Sequence, residues 1–227
     1  MLKLYIANKN YSSWSLRPWI LLTMLEIPFE EVLVPFQGDA TRDTFLKFSP
    51  TAKVPCLVDG ELTVWDSLAI TEYIAEQYPA VWPGEHRARA WTRSAAAEIH
   101  SGFNVIRNLC SMSCGIRVRL RETPAALTAE WQRMAELWGE GLDRFGGPFL
   151  AGAAFTAVDA FYAPVAFRVR SYSPTLPALA QGYVDRLLAL DPMRSWYKSA
   201  LAETWRDVAH DMEITSVGDV LEDLRAI

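Results

Sequence analysis

Apolar and polar positions in the first eighty residues follow patterns that predict alternating strands and helices. Apolar side chains alternate with others over residues 2–6, which indicates a first strand, and residues 16–25 form an apolar helical stretch. Further strands are predicted over residues 31–36, 54–58 and 62–65, and a further helix over residues 67–78. The order β-α-β-(α)-β-β-α combines long crossovers, which suit parallel pairing, with an Asp59-Gly60 turn, which requires antiparallel pairing.

A segment rich in proline and glycine separates this first unit from a second one in which only helical patterns are found. Two prolines and a glycine within residues 79–84 interrupt any helix, so we expect a linker over residues 80–86. The predicted helices beyond it cover residues 87–113, 128–145, 156–170, 176–190 and 195–208. The sequence therefore predicts an α/β domain of residues 1–79 followed by an all-α domain of residues 87–227.

The start of one helix in the second domain carries a clear signal. Thr156 and Asp159 have the spacing of a capping box, in which each side chain satisfies a backbone N–H of the other residue. We assign this pair to the stability of the helix rather than to chemistry.

Composition and charge exclude several classes of function. Of the 227 residues, 51% are hydrophobic and 22% are charged, as in folded globular proteins. A net charge of -5 gives no overall attraction to nucleic acid or to anionic membranes. No basic leader precedes residues 2–6 and no apolar run reaches about 18 residues, so we expect a cytoplasmic protein. Three cysteines without CxxC spacing and three scattered histidines predict neither disulfides nor a metal site.

A serine-rich segment lies between the first predicted strand and the first predicted helix. Pro18 has no N–H to donate and suits the first helical turn, which makes Ser15 the expected N-cap and places Ser12 and Ser13 just ahead of it. The partial positive charge of a helix N-terminus favours a thiolate, and a serine hydroxyl there can donate a hydrogen bond to sulfur. The alternative interpretation is that all three serines only form caps and turns.

A second polar group consists of Lys53-Val54-Pro55 and Asp66-Ser67. Pro55 removes a ladder donor at the entry to the third strand, where a cis bond would suit the turn, and Val54 then keeps its main-chain groups for an extended peptide. Ser67, the expected helix cap, offers a hydroxyl and N–H groups to a carboxylate, and Asp66 can take an ammonium group. These residues predict a site for a small zwitterionic peptide that carries a thiol.

These motifs together resemble the glutathione S-transferases over nearly the whole chain. The resemblance rests on the order of elements, Ser12-Ser13, Val54-Pro55, Asp66-Ser67, the linker and the Thr156/Asp159 box. The serine motif is most similar to that of the zeta class, the maleylacetoacetate isomerases, whose pattern is Ser-Ser-Cys-Ser-x-Arg. In this chain Trp14 takes the place of the zeta-class cysteine.

The resemblance implies a thioredoxin-like N-terminal domain that binds glutathione, a helical second domain and a homodimer. It assigns Ser12, with Ser13 as its neighbour, to the hydroxyl that stabilises the glutathione thiolate. The glutathione-binding residues that it implies are Lys53, Val54, Asp66 and Ser67. Val54 would bind the main chain of the cysteinyl part, and the Asp-Ser pair would hold the γ-glutamyl end.

The co-substrate pocket is implied between the two domains, against the predicted helix of residues 87–113. His100, Asn104 and Arg107 form a polar stripe on this helix, and together with Trp14 they are the candidate pocket residues. A solvated face or a dimer surface is the alternative interpretation of the stripe. The basic run of residues 117–121 is expected to be an exposed loop, with attraction of an anionic co-substrate as the alternative.

The leading hypothesis is a glutathione transferase in which Ser12 and the helix N-terminus activate glutathione, the co-substrate, for attack on a small, largely apolar electrophile, a reaction typical of detoxification. No metal is expected. The alternatives are a glutathione-dependent cis–trans isomerase of a maleyl-type dicarboxylate and a non-catalytic binding protein of the same fold. Disulfide or peroxide reduction is disfavoured, because serine and tryptophan occupy the positions where such enzymes usually have a cysteine.

Overall fold

The computed structural model describes residues 1–226, so Ile227, the last residue of the predicted second domain, lies outside the described residues. The first domain contains β1 (Leu2–Ile6), α1 (Ser13–Met24), β2 (Phe29–Leu33), α2 (Thr41–Phe45), β3 (Cys56–Asp59), β4 (Leu62–Val64) and α3 (Ser67–Gln77). The second contains α4 (His86–Ser101), α5 (Asn104–Leu109), β5 (Ile116–Leu120), α6 (Ala125–Phe145), α7 (Ala157–Tyr172), α8 (Ala178–Ala189), α9 (Asp191–Ala202), α10 (Val208–Val217) and β6 (Gly218–Asp223).

The first domain is built on a four-stranded sheet in the order β2-β1-β3-β4. Strand β1 pairs in parallel with β2 and antiparallel with β3, and β3 continues into β4 through a hairpin in which Gly60 has a φ of 59°. This arrangement confirms the predicted order of elements. Strand β2 lies earlier than the predicted residues 31–36, because its parallel partner ends at Ile6, which pairs with Leu33.

Helix α7 is the centre of the second domain and also packs against α1 of the first. All of its sixteen residues except Arg170 are buried. At its start the predicted capping pair is in contact: the Thr156 N–H donates to Asp159 Oδ2 over 3.0 Å. The Asp159 carboxylate is completely buried and also accepts from the Leu150 N–H over 3.0 Å and the Tyr183 hydroxyl over 2.9 Å.

The predicted continuous helix over residues 87–113 is interrupted. Helix α4 ends at Ser101, and Phe103 adopts a left-handed backbone with a φ of 56° before α5 begins. The carboxylate of Glu130, on α6, accepts the backbone N–H groups of Val105 and Ile106 at the start of α5. This tertiary contact caps a new helix, so the prediction of one helix was wrong.

The second domain is helical, as predicted, but it contains a two-stranded sheet that the sequence patterns did not predict. The basic run of residues 117–121 forms most of β5, which pairs with β6 from the far end of the described chain. Arg119 and Arg121 both form ion pairs with Asp219 of β6. The expectation of an exposed loop was wrong because strand pairing over about a hundred residues of separation is not visible in a local pattern.

Three further observations concern the classes of function considered above. None of the helices in residues 1–226 is long and apolar enough to cross a membrane. All three cysteines are free and buried, and burial raises the pKa of the Cys110 thiol to about 12. Within the described part of the chain, no group of three His, Cys, Asp or Glu side chains is placed to hold a metal ion.

Candidate active site

A cleft of about 590 Å³ lies between the two domains at the start of α1. The predicted site residues in its lining are Ser12, Ser13, Trp14, Lys53, Val54 and Arg107. The predicted residues that do not line it are Asp66, Ser67, His100 and Asn104. The cleft therefore brings six of the ten candidates together, and the other four do not line it.

Ser12 is the N-cap residue of α1, but its hydroxyl makes no capping hydrogen bond to the helix. The hydroxyl donates to Ser15 Oγ over 2.7 Å, and Ser15 Oγ also accepts the Ala7 N–H over 3.3 Å. The expected cap at Ser15 was wrong, since the N-cap of α1 is Ser12, three residues earlier, and the helix contains Pro18 in its interior. Burial of the helix from residue 15 to residue 22 outweighs the backbone hydrogen bond lost at Pro18.

Ser13 has a different partner from Ser12. Its hydroxyl accepts a hydrogen bond from Arg168 Nη2, on α7, over 3.3 Å. The Arg168 guanidinium also donates to the Cys110 carbonyl. Burial lowers the pKa of Arg168 to about 10, so the guanidinium is charged at neutral pH. One serine is thus bound to a neutral hydroxyl and the other to a cation.

Val54 presents its main chain to the cleft. The Val54–Pro55 peptide bond is cis. Among residues 1–226, neither the N–H nor the C=O of Val54 has a hydrogen-bond partner. Val54 is half-buried and its neighbour Lys53 is exposed. An extended peptide in the cleft would find an unused donor and an unused acceptor at this position.

Asp66, and not Ser67, caps helix α3. Asp66 Oδ1 accepts the N–H groups of Leu68 over 2.9 Å and Ala69 over 3.4 Å. Ser67 is completely buried, and among the described residues its hydroxyl has no hydrogen-bond partner. A buried hydroxyl without a partner is uncommon in folded proteins and requires an explanation.

The predicted polar stripe of the second domain is divided in the structure. His100 is directed to the first domain, where its Nε2 lies 3.1 Å from Asp66 Oδ2. Asn104 is the exposed first residue of α5, because the break at Phe103 ends the helical spacing on which the stripe depended. Of the three residues in the stripe, Arg107 alone lines the cleft.

Trp14 lies between two guanidinium groups. Arg17 Cζ is 4.1 Å and Arg107 Cζ is 4.6 Å from the centre of its rings, both within the range of cation–π attraction. Neither of these arginines, nor Arg168, forms a salt bridge with a residue in the described chain. Burial lowers the pKa of Arg17, and the charges of Arg107 and Arg168 add to this effect. Arg107 and Arg168, which both line the cleft, give its wall near Trp14 a positive charge.

Helix α10 adds two residues that the sequence analysis missed. His210 lines the cleft, where it stacks on Tyr11 at 5.2 Å and on Phe36 at 4.8 Å between ring centres. Glu213, also in the lining, accepts from the Ser111 hydroxyl over 2.8 Å. This helix was not predicted, because its apolar residues do not recur with a helical period and Ile214 is its one buried residue.

Two models of known protein families match most of the two domains. A family model described as the N-terminal domain of glutathione S-transferases matches residues 11–77, and one described as their C-terminal domain matches residues 89–199. The chain belongs to the glutathione S-transferase family.

Individual relatives within this family include zeta-class proteins. The zeta-class glutathione S-transferase of Euphorbia esula is 35% identical over 114 residues, which are 49% of this chain and 51% of the relative. A probable maleylacetoacetate isomerase from Vibrio cholerae is 31% identical over 114 residues, 48% and 53% of the two chains. The chain thus spans about half the length of these relatives. The glutathione S-transferase-like protein OpS6 of Beauveria bassiana is 28% identical over 175 residues, 72% and 77% of the two chains.

Solved structures of glutathione S-transferases share the fold. A diazinon-metabolizing glutathione S-transferase of the silkworm, Bombyx mori, matches with a TM-score of 0.69 at 20% identity, over 88% of this chain and 97% of its own. A glutathione transferase homologue from Burkholderia, solved with bound glutathione, matches with a TM-score of 0.66 at 22% identity and the same coverage. These matches establish a thioredoxin-like first domain followed by a helical domain.

Proposed function

We propose that this protein is a glutathione transferase that activates the thiol of glutathione with Ser12. The observation that supports it best is the position of the Ser12 hydroxyl, which is at the N-terminus of α1, on the wall of the cleft and free of any capping role. Val54 supplies the free main-chain groups for the cysteinyl part, with Lys53 beside it, and Asp66 and Ser67 hold the γ-glutamyl end. Ser13, the neighbour of Ser12, lines the cleft beside the proposed position of the sulfur.

The proposed chemistry needs only a rotation of two hydroxyl groups. Ser12 turns its hydrogen from Ser15 to the sulfur, and Ser15 then donates to Ser12 Oγ while the Ala7 N–H holds Ser15 in place. The thiol proton is released to solvent. The thiolate, also favoured by the helix N-terminus, attacks an electrophilic carbon. A sulfur–carbon bond forms, the leaving group departs with its electron pair, and no bond to the protein is made.

The second candidate function is the isomerisation of a maleyl-type dicarboxylate. It is favoured by Arg107 and Arg168, two guanidinium groups in the cleft without a salt-bridge partner among the described residues. The carboxylates of such a substrate would neutralise them. Turnover with a panel of uncharged electrophiles, disulfides and maleylacetone, each with glutathione, separates the two functions. A protein that binds glutathione but turns over none of them would be a binding protein.

We also propose a cytoplasmic homodimer. Leu62 and Trp65 are 57% and 44% exposed on and beside β4, the edge strand of the four-stranded sheet. Exposed apolar side chains at a sheet edge suit a self-complementary contact with a second copy. Analytical ultracentrifugation of the wild type and of Leu62→Glu tests this, and a wild type that sediments as a monomer would contradict it.

Ser67→Ala is expected to weaken glutathione binding at least tenfold, because a hydrogen bond to a charged group contributes about 1.5 to 3 kcal/mol. The same change is expected to leave the melting temperature of the free protein unchanged or higher, because the hydroxyl is buried without a partner. Calorimetric titration with glutathione measures the first effect and thermal melting the second. Unchanged affinity would remove Ser67 from the site.

Arg168→Met is expected to raise the KM for maleylacetone about tenfold or more, while the KM for an uncharged aryl halide changes little. The reason is that the guanidinium contacts the substrate only where the substrate carries a carboxylate. Arg168→Lys, which keeps the positive charge, is the matched control and should recover part of the loss. An equal rise in KM for both substrates would show that the substitution disturbs the fold and would refute a carboxylate site.

A further inference from the structure

His100 connects two charged residues that belong to the first domain. Its Nδ1 lies 3.5 Å from Arg17 Nη1, on α1, and its Nε2 lies 3.1 Å from Asp66 Oδ2, ahead of α3. His100 itself is on α4, in the second domain. The imidazole is half-buried and packs edge-on against Trp14, with 5.4 Å between ring centres. Three elements from two domains therefore meet at one ring.

The partners of His100 determine which ring nitrogen carries the proton. A guanidinium group is a donor only, so Nδ1 must accept from Arg17. The hydrogen of the neutral ring is then on Nε2, where it is donated to Asp66. Burial lowers the pKa of His100 below 6.5, and the charges of Arg17 and Arg107 lower it further, although Asp66 acts in the opposite direction. The ring is therefore neutral at pH 7.

Both oxygens of Asp66 have contacts. Oδ1 caps α3 by accepting from Leu68 and Ala69, and Oδ2 lies 3.1 Å from His100 Nε2. The side chain is still 54% exposed, so one face of the carboxylate is open to a ligand. Arg17, by contrast, is 4% exposed and reaches Asp66 only through the imidazole.

We propose that His100 is a positioning residue for Asp66, which it orients to receive the ammonium group of the γ-glutamyl end of glutathione. This inference rests on the proposed function, and it gives His100 a role different from that of lining the co-substrate pocket. The Arg17–His100–Asp66 chain lets the second domain fix a side chain of the peptide site in the first. This series of contacts affects the affinity for glutathione and not the pKa of its thiol, since Ser12 forms no hydrogen bond with any of the three residues.

The contacts of His100 with Arg17 and Asp66 also make glutathione binding dependent on pH. The charged groups that face His100 are Asp66, Arg17 and Arg107. When the pH falls below the pKa of His100, Nδ1 gains a hydrogen that faces the Arg17 donor, and the contact is lost. The imidazolium also competes with the ligand ammonium for Asp66. Affinity for glutathione is therefore expected to be full at pH 7 and to fall several-fold once the pH is below the lowered pKa of His100.

The test compares His100→Leu with His100→Gln in full-length protein. A glutamine side chain can accept from Arg17 and donate to Asp66 as the neutral imidazole does, whereas leucine can do neither. In His100→Leu we expect the dissociation constant and the KM for glutathione to rise about tenfold, with kcat at saturating glutathione nearly unchanged. His100→Gln is expected to recover most of the affinity and to lose the pH dependence between 5 and 7.

Each outcome bears on one of the two proposals. A wild type that does not bind glutathione at all refutes the proposed function, whatever His100 does. A wild type that binds, together with a folded His100→Leu variant of equal affinity, refutes the positioning role alone, as does a glutamine variant with the pH dependence intact. Because the leucine variant can fail to fold, nitrogen-15 NMR of histidine in the wild type is the second measurement. A proton on Nδ1 of His100 at pH 7 would overturn the inference.

Discussion

Replacing Ser12 by alanine is expected to raise the pKa of bound glutathione by about one to two and to lower turnover near neutral pH about tenfold or more. A hydrogen bond to an ionised sulfur contributes about 1.5 to 3 kcal/mol, and each pKa unit corresponds to about 1.4 kcal/mol. Affinity for glutathione should barely change, because the residues proposed to hold most of the peptide are Val54 and Asp66, and Ser12 is not among them. The measurement is a pH titration of thiolate absorbance in the glutathione complex.

Ser13→Ala is the matched control for this prediction. Its hydroxyl accepts from Arg168, whereas that of Ser12 has only another serine as its partner. We therefore expect the Ser13 variant to titrate like the wild type. A shift found only in the Ser13 variant would show that the wrong hydroxyl is assigned. If neither variant shifts, the helix N-terminus acts without a serine and the proposed mechanism is wrong.

Asp159→Ala is expected to lower the free energy of unfolding by about 3 to 5 kcal/mol, because three buried donors lose their acceptor and each loss costs about 1 to 3 kcal/mol. For a chain of this size, the melting temperature should fall by about 10 °C. Asp185→Ala, which removes an exposed carboxylate on α8, is the control and should change stability by less than about 0.5 kcal/mol. Unchanged melting alongside lost turnover would contradict the structural assignment.

The stability difference between wild type and Asp159→Ala should also depend on pH. Burial raises the pKa of Asp159 to about 6, above its value of about 3.9 in an unfolded chain. The proton on the Asp159 carboxyl group therefore stabilises the folded state. This stabilisation is complete below pH 4 and is lost as the pH rises through 6. Denaturant unfolding at pH 4.5 and at pH 7.5 should show the larger difference at pH 4.5. An equal difference at both pH values would contradict the raised pKa.

Local patterns were sufficient for the first domain, because its elements are short and their signals are strong. Alternation over residues 2–6, the Asp59-Gly60 turn and the apolar run before residue 25 predicted the order of elements that the sheet contains. The exact start of α1 was not predictable. Pro18 argues for a later start, and only the burial of the helix against α7 shows why the earlier one is favoured.

In the second domain, distant contacts decided the points at which local patterns failed. The polar stripe assumed one regular helix, but Glu130 caps a new helix after Phe103 and so separates Asn104 from His100. Strand β5 exists because a partner about a hundred residues away pairs with it. Contacts of this kind leave no periodic signal in either partner taken alone.

The residue types available for chemistry follow from the sequence alone: a serine at a helix start, a free main chain before a proline, and an acidic and a hydroxyl residue at the next helix. The chemistry of these groups depends on the type of residue, so the motifs could be identified from the sequence without a structure. The hydrogen-bond and ion-pair partners of these residues depend on the three-dimensional fold. Ser12 is bound to a neutral hydroxyl, Ser13 to a buried cation and Asp66 to an imidazole from the other domain. Hydrogen bonding and burial depend on distance in space, and the order of residues along the chain does not specify it.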